Sequence, residues 1–141
     1  MNGGEAVKNV GRIDRKLYSC VAPDILTDEV VITDERIEHI KERHPNDYED
    51  YCGYIPQMIA DPDYIIEDTR PHTGMILKSF EENGRLFRLC LRFVTPQDDP
   101  GFKNSIITFM KIRKKEWNRL LNNKTCRFVN DLGHSRKKGF L

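Results

Sequence analysis

The sequence predicts an α+β domain in which N-terminal helices pack on a four-stranded antiparallel sheet, followed by a C-terminal helix and a basic tail. Three observations carry that expectation. An amphipathic stretch with a defined start and stop occupies residues 34–44, four runs after Pro62 alternate with the period of a strand, and a tight-turn signal joins the middle two. Helices followed by consecutive strands favour layers, with the helices on one sheet face. The opposite face is then free for a ligand.

Residues 1–28 read as an N-terminal extension, disordered over MNGGEAVK and partly extended from Val10 to Val21. The domain proper spans residues 29–123 and opens on a short β-branched run, Glu29 to Ile32. Thr33 is a good N-cap, Asp34 and Glu35 place negative charge in the first turn, and Pro45 ends the helix after Arg43 or His44. A second helix is expected from Tyr48 to Ala60, capped by Asp47 and closed by Asp61-Pro62, with Gly53 and Pro56 as the points where it would split. Strands follow at Tyr64–Asp68, Thr73–Glu81, Arg85–Thr95 and Lys103–Ile112, the middle pair joined by Glu82-Asn83-Gly84. Arg113 to Asn123 has helical composition, with Trp117 as a core anchor in preference to a base-stacking surface, and residues 124–141 form a basic tail.

A chain of 141 residues supports one domain with a real core. Charged residues make up 32% of it, and no apolar run reaches the length of a membrane span or signal-peptide core, so a soluble, non-secreted, cytoplasmic protein is expected. Cys20, Cys52, Cys90 and Cys126 show no C-x-x-C spacing, which points to reduced thiols rather than zinc or redox chemistry. Charge is unevenly distributed. Residues 1–100 carry 12 basic and 20 acidic side chains, whereas residues 101–141 carry 11 basic and 2 acidic. Such a block attracts phosphate backbones, or else forms a solvated tail against the acidic front half.

Period two in the third strand sets Phe87, Leu89, Leu91 and Phe93 on a core face and Arg88, Cys90 and Arg92 on the other. Paired guanidinium groups suit a polyanion, although they also serve simply to keep a solvent face soluble. In the preceding strand, Lys78 joins the arginines if Leu77 belongs to the core. In the fourth strand, Ser105 and Thr108 fall on opposite faces under regular pleating, so only a bulge would let both face the arginines. Lys103, Asn104, Lys111, Arg113, Lys114, Lys115 and the tail residues Arg136, Lys137 and Lys138 are candidates for holding backbone phosphates.

His39 and His44 lie five residues apart, about 140° around a helix, which excludes the metal-gripping pair of an H-E-x-x-H helix. His44 continues the buried stripe of Ile37 and Ile40, and His39 shares the adjacent stripe with Arg36 and Arg43. At a helix C-terminus the protonated form of His44 is favoured by the dipole, suiting a general acid. Ordinary roles, carbonyl capping for His44 and solvation for His39, compete with these readings.

Taken together, VITDERIEHIKERHP, ADPDYIIED, ENGRLFRLCLRF and KNSIITFMKI resemble, in that order, the phage-associated subfamily of the barnase, EndoU, colicin and RelE (BECR-type) group of ribonucleases. The resemblance covers about residues 29–120. It implies a helix-then-sheet fold and toxin-like, metal-independent RNA cleavage without a cofactor, often of transfer RNA, in proteins of phages or mobile elements. Carried over, the catalytic positions are His39 or His44, Lys78, Arg88 or Arg92, and Ser105 or Thr108. It also leaves room for an immunity or antitoxin partner. Two other readings keep the same features: a noncatalytic RNA-binding module, and a phage structural or interaction domain that retains the fold alone.

Overall fold

The computed structural model describes residues 6–81 and 84–122, and the backbone of 126–129. Along the described chain run β1 (Val7–Arg12), a 3₁₀ turn (Leu17–Cys20), β2 (Glu29–Thr33) and α1 (Asp34–Arg43). After α2 (Asp47–Tyr51), a second 3₁₀ turn (Cys52–Tyr54) and α3 (Ile55–Ala60) come β3 (Tyr64–Glu67), β4 (Thr73–Phe80), β5 (Arg85–Arg92) and β6 (Asn104–Ile112). The last elements are α4 (Lys114–Leu121) and β7 (Cys126–Val129).

Local chemistry accounts for α1. The Thr33 hydroxyl accepts the Arg36 N–H at 3.1 Å, Asp34 and Glu35 face the positive helix end, and Lys41 and Arg43 face the negative one. Pro45 stops the helix, and Asn46 adopts a left-handed backbone (φ 73°) that turns the chain into α2. The single helix expected over residues 48–60 is instead two short helices around a 3₁₀ turn. Pro56, in the first turn of α3, has no N–H for a continuous helical ladder, and a helix start is where that loss costs least.

The four expected strands form a contiguous antiparallel meander, β3 to β6, inside a larger sheet of order β1-β2-β6-β5-β4-β3-β7. The sheet is thus seven-stranded and mixed rather than four-stranded and antiparallel, because β2 runs parallel to β6 and β1 and β7 complete the edges. Those outer strands cover rows of N–H and C=O groups that the meander alone would leave unpaired. Residues 7–28, set apart from the domain in the sequence reading, supply β1 and the buried side chains Ile13, Tyr18, Ala22 and Ile25. The Tyr18 hydroxyl donates to the Ile59 carbonyl at 2.6 Å, tying this segment to α3. The strand β7 lies within residues 124–141, read from sequence as a tail.

Both sheet faces are covered. On one, Phe87, Leu89, Leu91, Phe93, Ile106 and Phe109 meet the side chains of α1 to α3, with Phe87 and Phe109 stacked at 5.7 Å. On the other, which the sequence reading left open, α4 lays Trp117 and Leu120 over Ile66, Met75, Leu77 and Cys90, and Trp117 meets Tyr64 edge-on at 5.8 Å. Its apolar stripe has nowhere else to be buried. Part of this second face stays accessible on either side of α4. Among the described residues no helix is long and apolar enough to cross a membrane.

Asn104 fixes the start of β6. It is fully buried, accepts the Val94 N–H at 2.9 Å and donates to the carbonyls of Thr27 (2.8 Å) and Glu29 (3.0 Å). These contacts join three chain segments and use the side chain structurally. Asn104→Ala leaves those backbone groups without partners and should lower stability by about 2–4 kcal/mol, read as a lower urea midpoint at unchanged m-value.

Candidate functional site

The site arises where β6 lacks a strand partner. β2 pairs with β6 only through Val30↔Asn104 and Val31↔Ser105, and α1, leaving β2 directly, runs along the remainder of β6. One helix stripe, Arg36, His39, Arg43 and His44, is thereby turned toward the sheet face that carries Arg88. Arg70 enters from the β3–β4 loop and Thr108 and Met110 from β6, enclosing a cleft of about 450 Å³. Four arginines and two histidines line it, and no described Asp or Glu does.

A bulge decides which hydroxyls face the arginines. Cys90 pairs with Thr108 but Leu91 pairs with Ile106, so Ile107 is an extra residue in β6. Directly opposed residues share a face, so Thr108, opposite Cys90, and Ser105, opposite Arg92, both lie on the Arg88 side. Thr108 reaches the cleft; Ser105 is not among its lining residues.

Carboxylates support the arginines from outside the cleft. Arg70 Nε meets Asp68 at 2.6 Å, and Arg88 Nη1 meets Glu116 of α4 at 3.3 Å, with Glu116 also held by Arg119 at 2.6 Å. The hydrogen bond from Arg119 holds the Glu116 carboxyl below its ordinary range. Arg88 Nε is buried without a hydrogen-bond partner among the described residues, an arrangement that costs free energy until an acceptor arrives. Beneath it, burial pushes the Cys90 thiol pKa up against the pull of the nearby Arg88 and Arg70.

His44 is half-buried at the end of α1, and its pKa is lowered. Partial burial is the main cause; Asp47 opposes it, while Arg43, Arg88 and His39 add to it. The expectation that the helix dipole would favour protonated His44 is therefore reversed. Its neutral ring is the favoured form, which suits proton acceptance. His39 is more exposed and lines the same cleft.

Other sequence candidates are placed elsewhere. Lys78 does not join the arginines, because the hairpin register sets Leu77 opposite Arg88 and Lys78 opposite Phe87. It is buried on the helix-side face, paired with Asp61 at 3.0 Å and Asp63 at 3.4 Å. Arg92 shares the face of Arg88 but is not a cleft residue; it pairs with Asp98 at 2.8 Å and donates to the Phe93 carbonyl, bracing the loop after β5. Lys103 pairs with Glu29 at 2.6 Å. Lys111, Arg113 and Lys114 border a second cleft, Lys115 is exposed in the first turn of α4, and Arg136, Lys137 and Lys138 lie outside the described residues.

Sequence reasoning missed Arg70 altogether and treated Arg36 and Arg43 only as neighbours of His39. Arg70 sits in Asp68-Thr-Arg-Pro-His72, whose His72 takes a left-handed backbone (φ 53°). Only that turn brings it beside Arg88. Among the described residues, no three His, Cys, Asp or Glu side chains converge as a metal-ligand set.

The model of the phage-Barnase-EndoU-ColicinE5/D-RelE like nuclease2 family matches residues 5–126. The chain belongs to that nuclease family. The match takes in β1 and the segment before Glu29 together with the elements that build the cleft. No curated protein and no solved structure matches the chain.

Two outcomes test these placements. Lys78→Ala removes a charge partner of Asp63, whose side chain is 1% exposed, and should cost about 3–5 kcal/mol in chemical denaturation, partly recovered by Lys78→Met with Asp63→Asn. In an NMR titration the His44 ring should protonate below the usual histidine value of 6.5, and Arg88→Gln should move that midpoint up. The sign for stability follows: with a lowered folded-state pKa, the folded chain binds fewer protons on His44 than the unfolded chain does. Its contribution is full above pH 6.5 and declines as the pH falls from there toward the folded midpoint.

Proposed function

We propose that this nuclease is an endoribonuclease that cleaves by attack of the 2'-hydroxyl on the adjacent phosphate, with no metal ion in the chemical step. The observation that carries the reading is the convergence of His44, His39, Arg70, Arg88 and Thr108 on one cleft with no lining carboxylate among the described residues. Such a lining favours a phosphodiester.

In this mechanism neutral His44 takes the 2'-hydroxyl proton as the 2'-oxygen bonds to phosphorus. Arg88, through its Nε, which has no partner among the described residues, and Arg70 stabilise the negative charge that builds on the non-bridging oxygens, with the Thr108 hydroxyl as a further donor. The bond from phosphorus to the 5'-oxygen breaks, and His39 in its protonated form supplies the proton to that leaving oxygen. The products are a 2',3'-cyclic phosphate and a free 5'-hydroxyl. Arg36 and Arg43 hold the flanking backbone, and transfer RNA is the first substrate to try.

Incubation with total transfer RNA in EDTA, with analysis of the new ends, tests the reading. Cyclic phosphate ends are expected, His44→Ala should slow cleavage by about 10²–10⁴-fold, and Arg88→Ala should slow it by about 10²-fold or more. Intact RNA at high protein concentration would overturn it in favour of an RNA-binding module, and unaffected rates in both variants would move the chemistry to another site.

A further inference from the structure

The same sheet face carries a second cleft, of about 560 Å³, at the closed end of the β4–β5 hairpin. Its floor is apolar. Leu86 and Ile112, opposed on the β5–β6 ladder, are half-buried there, and Trp117, 4% exposed, forms an inner wall. Its rim carries the cations of Arg113 and Lys114, with Glu81 as the one lining carboxylate among the described residues. Arg85 and Lys111 border it by position only: opposite Phe80 and Phe87, they send their cations to the other sheet face, 5.3 and 5.6 Å from the centre of the Tyr51 ring.

The register fixes how the two clefts relate. The Arg88↔Met110 pair belongs to the first and the Leu86↔Ile112 pair to the second. They are alternate rungs on one face, about 7 Å apart along the strands, comparable with the step between neighbouring nucleotides. The first turn of α4 stands between the clefts: Glu116 meets Arg88 of one, while Lys114 and Trp117 line the other.

We propose that the second cleft is a base-binding subsite. It takes an unpaired base of the RNA strand, next to the phosphate held by Arg88, with that nucleotide's own phosphate against Arg113 and Lys114. Apolar walls of this size with a cationic rim fit a flat aromatic base attached to an anion, and single-stranded RNA offers such bases splayed out of the stack. The inference rests on the ribonuclease reading for the identity of the polymer. It adds that the substrate is unpaired at this position.

The chain has one tryptophan, so Trp117 fluorescence reports on this cleft. The probe is a short mixed-sequence 2'-O-methyl RNA, which lacks the attacking hydroxyl, compared with versions carrying one abasic sugar at each position in turn. At one position, loss of the base should weaken binding by about fivefold or more and abolish the Trp117 signal change. Arg113→Glu with Lys114→Glu should weaken binding of the intact probe. Equal affinity and equal signal at every abasic position would overturn the subsite. Cleavage of ordinary RNA, assayed alongside, separates the two ideas. Base-dependent binding without cleavage keeps the subsite and removes the ribonuclease; cleavage with base-independent binding does the reverse.

Discussion

The site depends on how little of β6 is paired to β2. Two residues of parallel pairing hold the strands together, and Asn104 clamps that short contact to the chain at Thr27, Glu29 and Val94. Were β2 to continue along β6, α1 could not lie there, and its cationic stripe would face solvent. Because β2 ends at the Thr33 cap, the helix starts at the sheet and runs along the exposed edge of β6. The bulge at Ile107 acts on the same strand, turning Thr108 onto the arginine face. Bulges commonly re-aim side chains next to functional sites.

Electrostatics explains why the arrangement is tolerable without a ligand. Four guanidinium groups around one cleft repel one another. Asp68 behind Arg70 and Glu116 behind Arg88 offset part of that repulsion, and the partial burial of His44 lowers its pKa and so disfavours a further positive charge there. What remains is a positive field with the Arg88 Nε unsatisfied among the described residues. Local violations of good packing and pairing of this sort concentrate at functional sites, where a bound anion relieves them. Lys78, by contrast, is buried in the opposite layer, paired with buried Asp63 and exposed Asp61, so similar chemistry there serves the fold.

The helix α4 has two roles. Trp117 and Leu120 close the second core, while Glu116 and the flanking cations divide the accessible face into two clefts on adjacent sections of the β5–β6 ladder. A rigid hairpin under both clefts keeps their spacing fixed, a requirement for any site that must hold a phosphate and a neighbouring base together.

The sequence by itself determined what short-range chemistry controls. Thr33, the acidic first turn and Pro45 define α1, alternation defines the meander strands and the faces of Arg88 and Phe87, and the ordered motifs point to the nuclease family. Tertiary structure decided the rest. The side of the sheet that Lys78 occupies follows from the hairpin register, the common face of Ser105 and Thr108 from a bulge, and the entry of Arg70 from a turn with a left-handed residue. The lowered pKa of His44 follows chiefly from its partial burial in the folded chain, with Arg88, distant in sequence, adding to the effect of the adjacent Arg43. Each depends on pairings between remote segments, and in a strand a shift of one residue exchanges the two faces, so composition and periodicity along the chain leave these features undetermined.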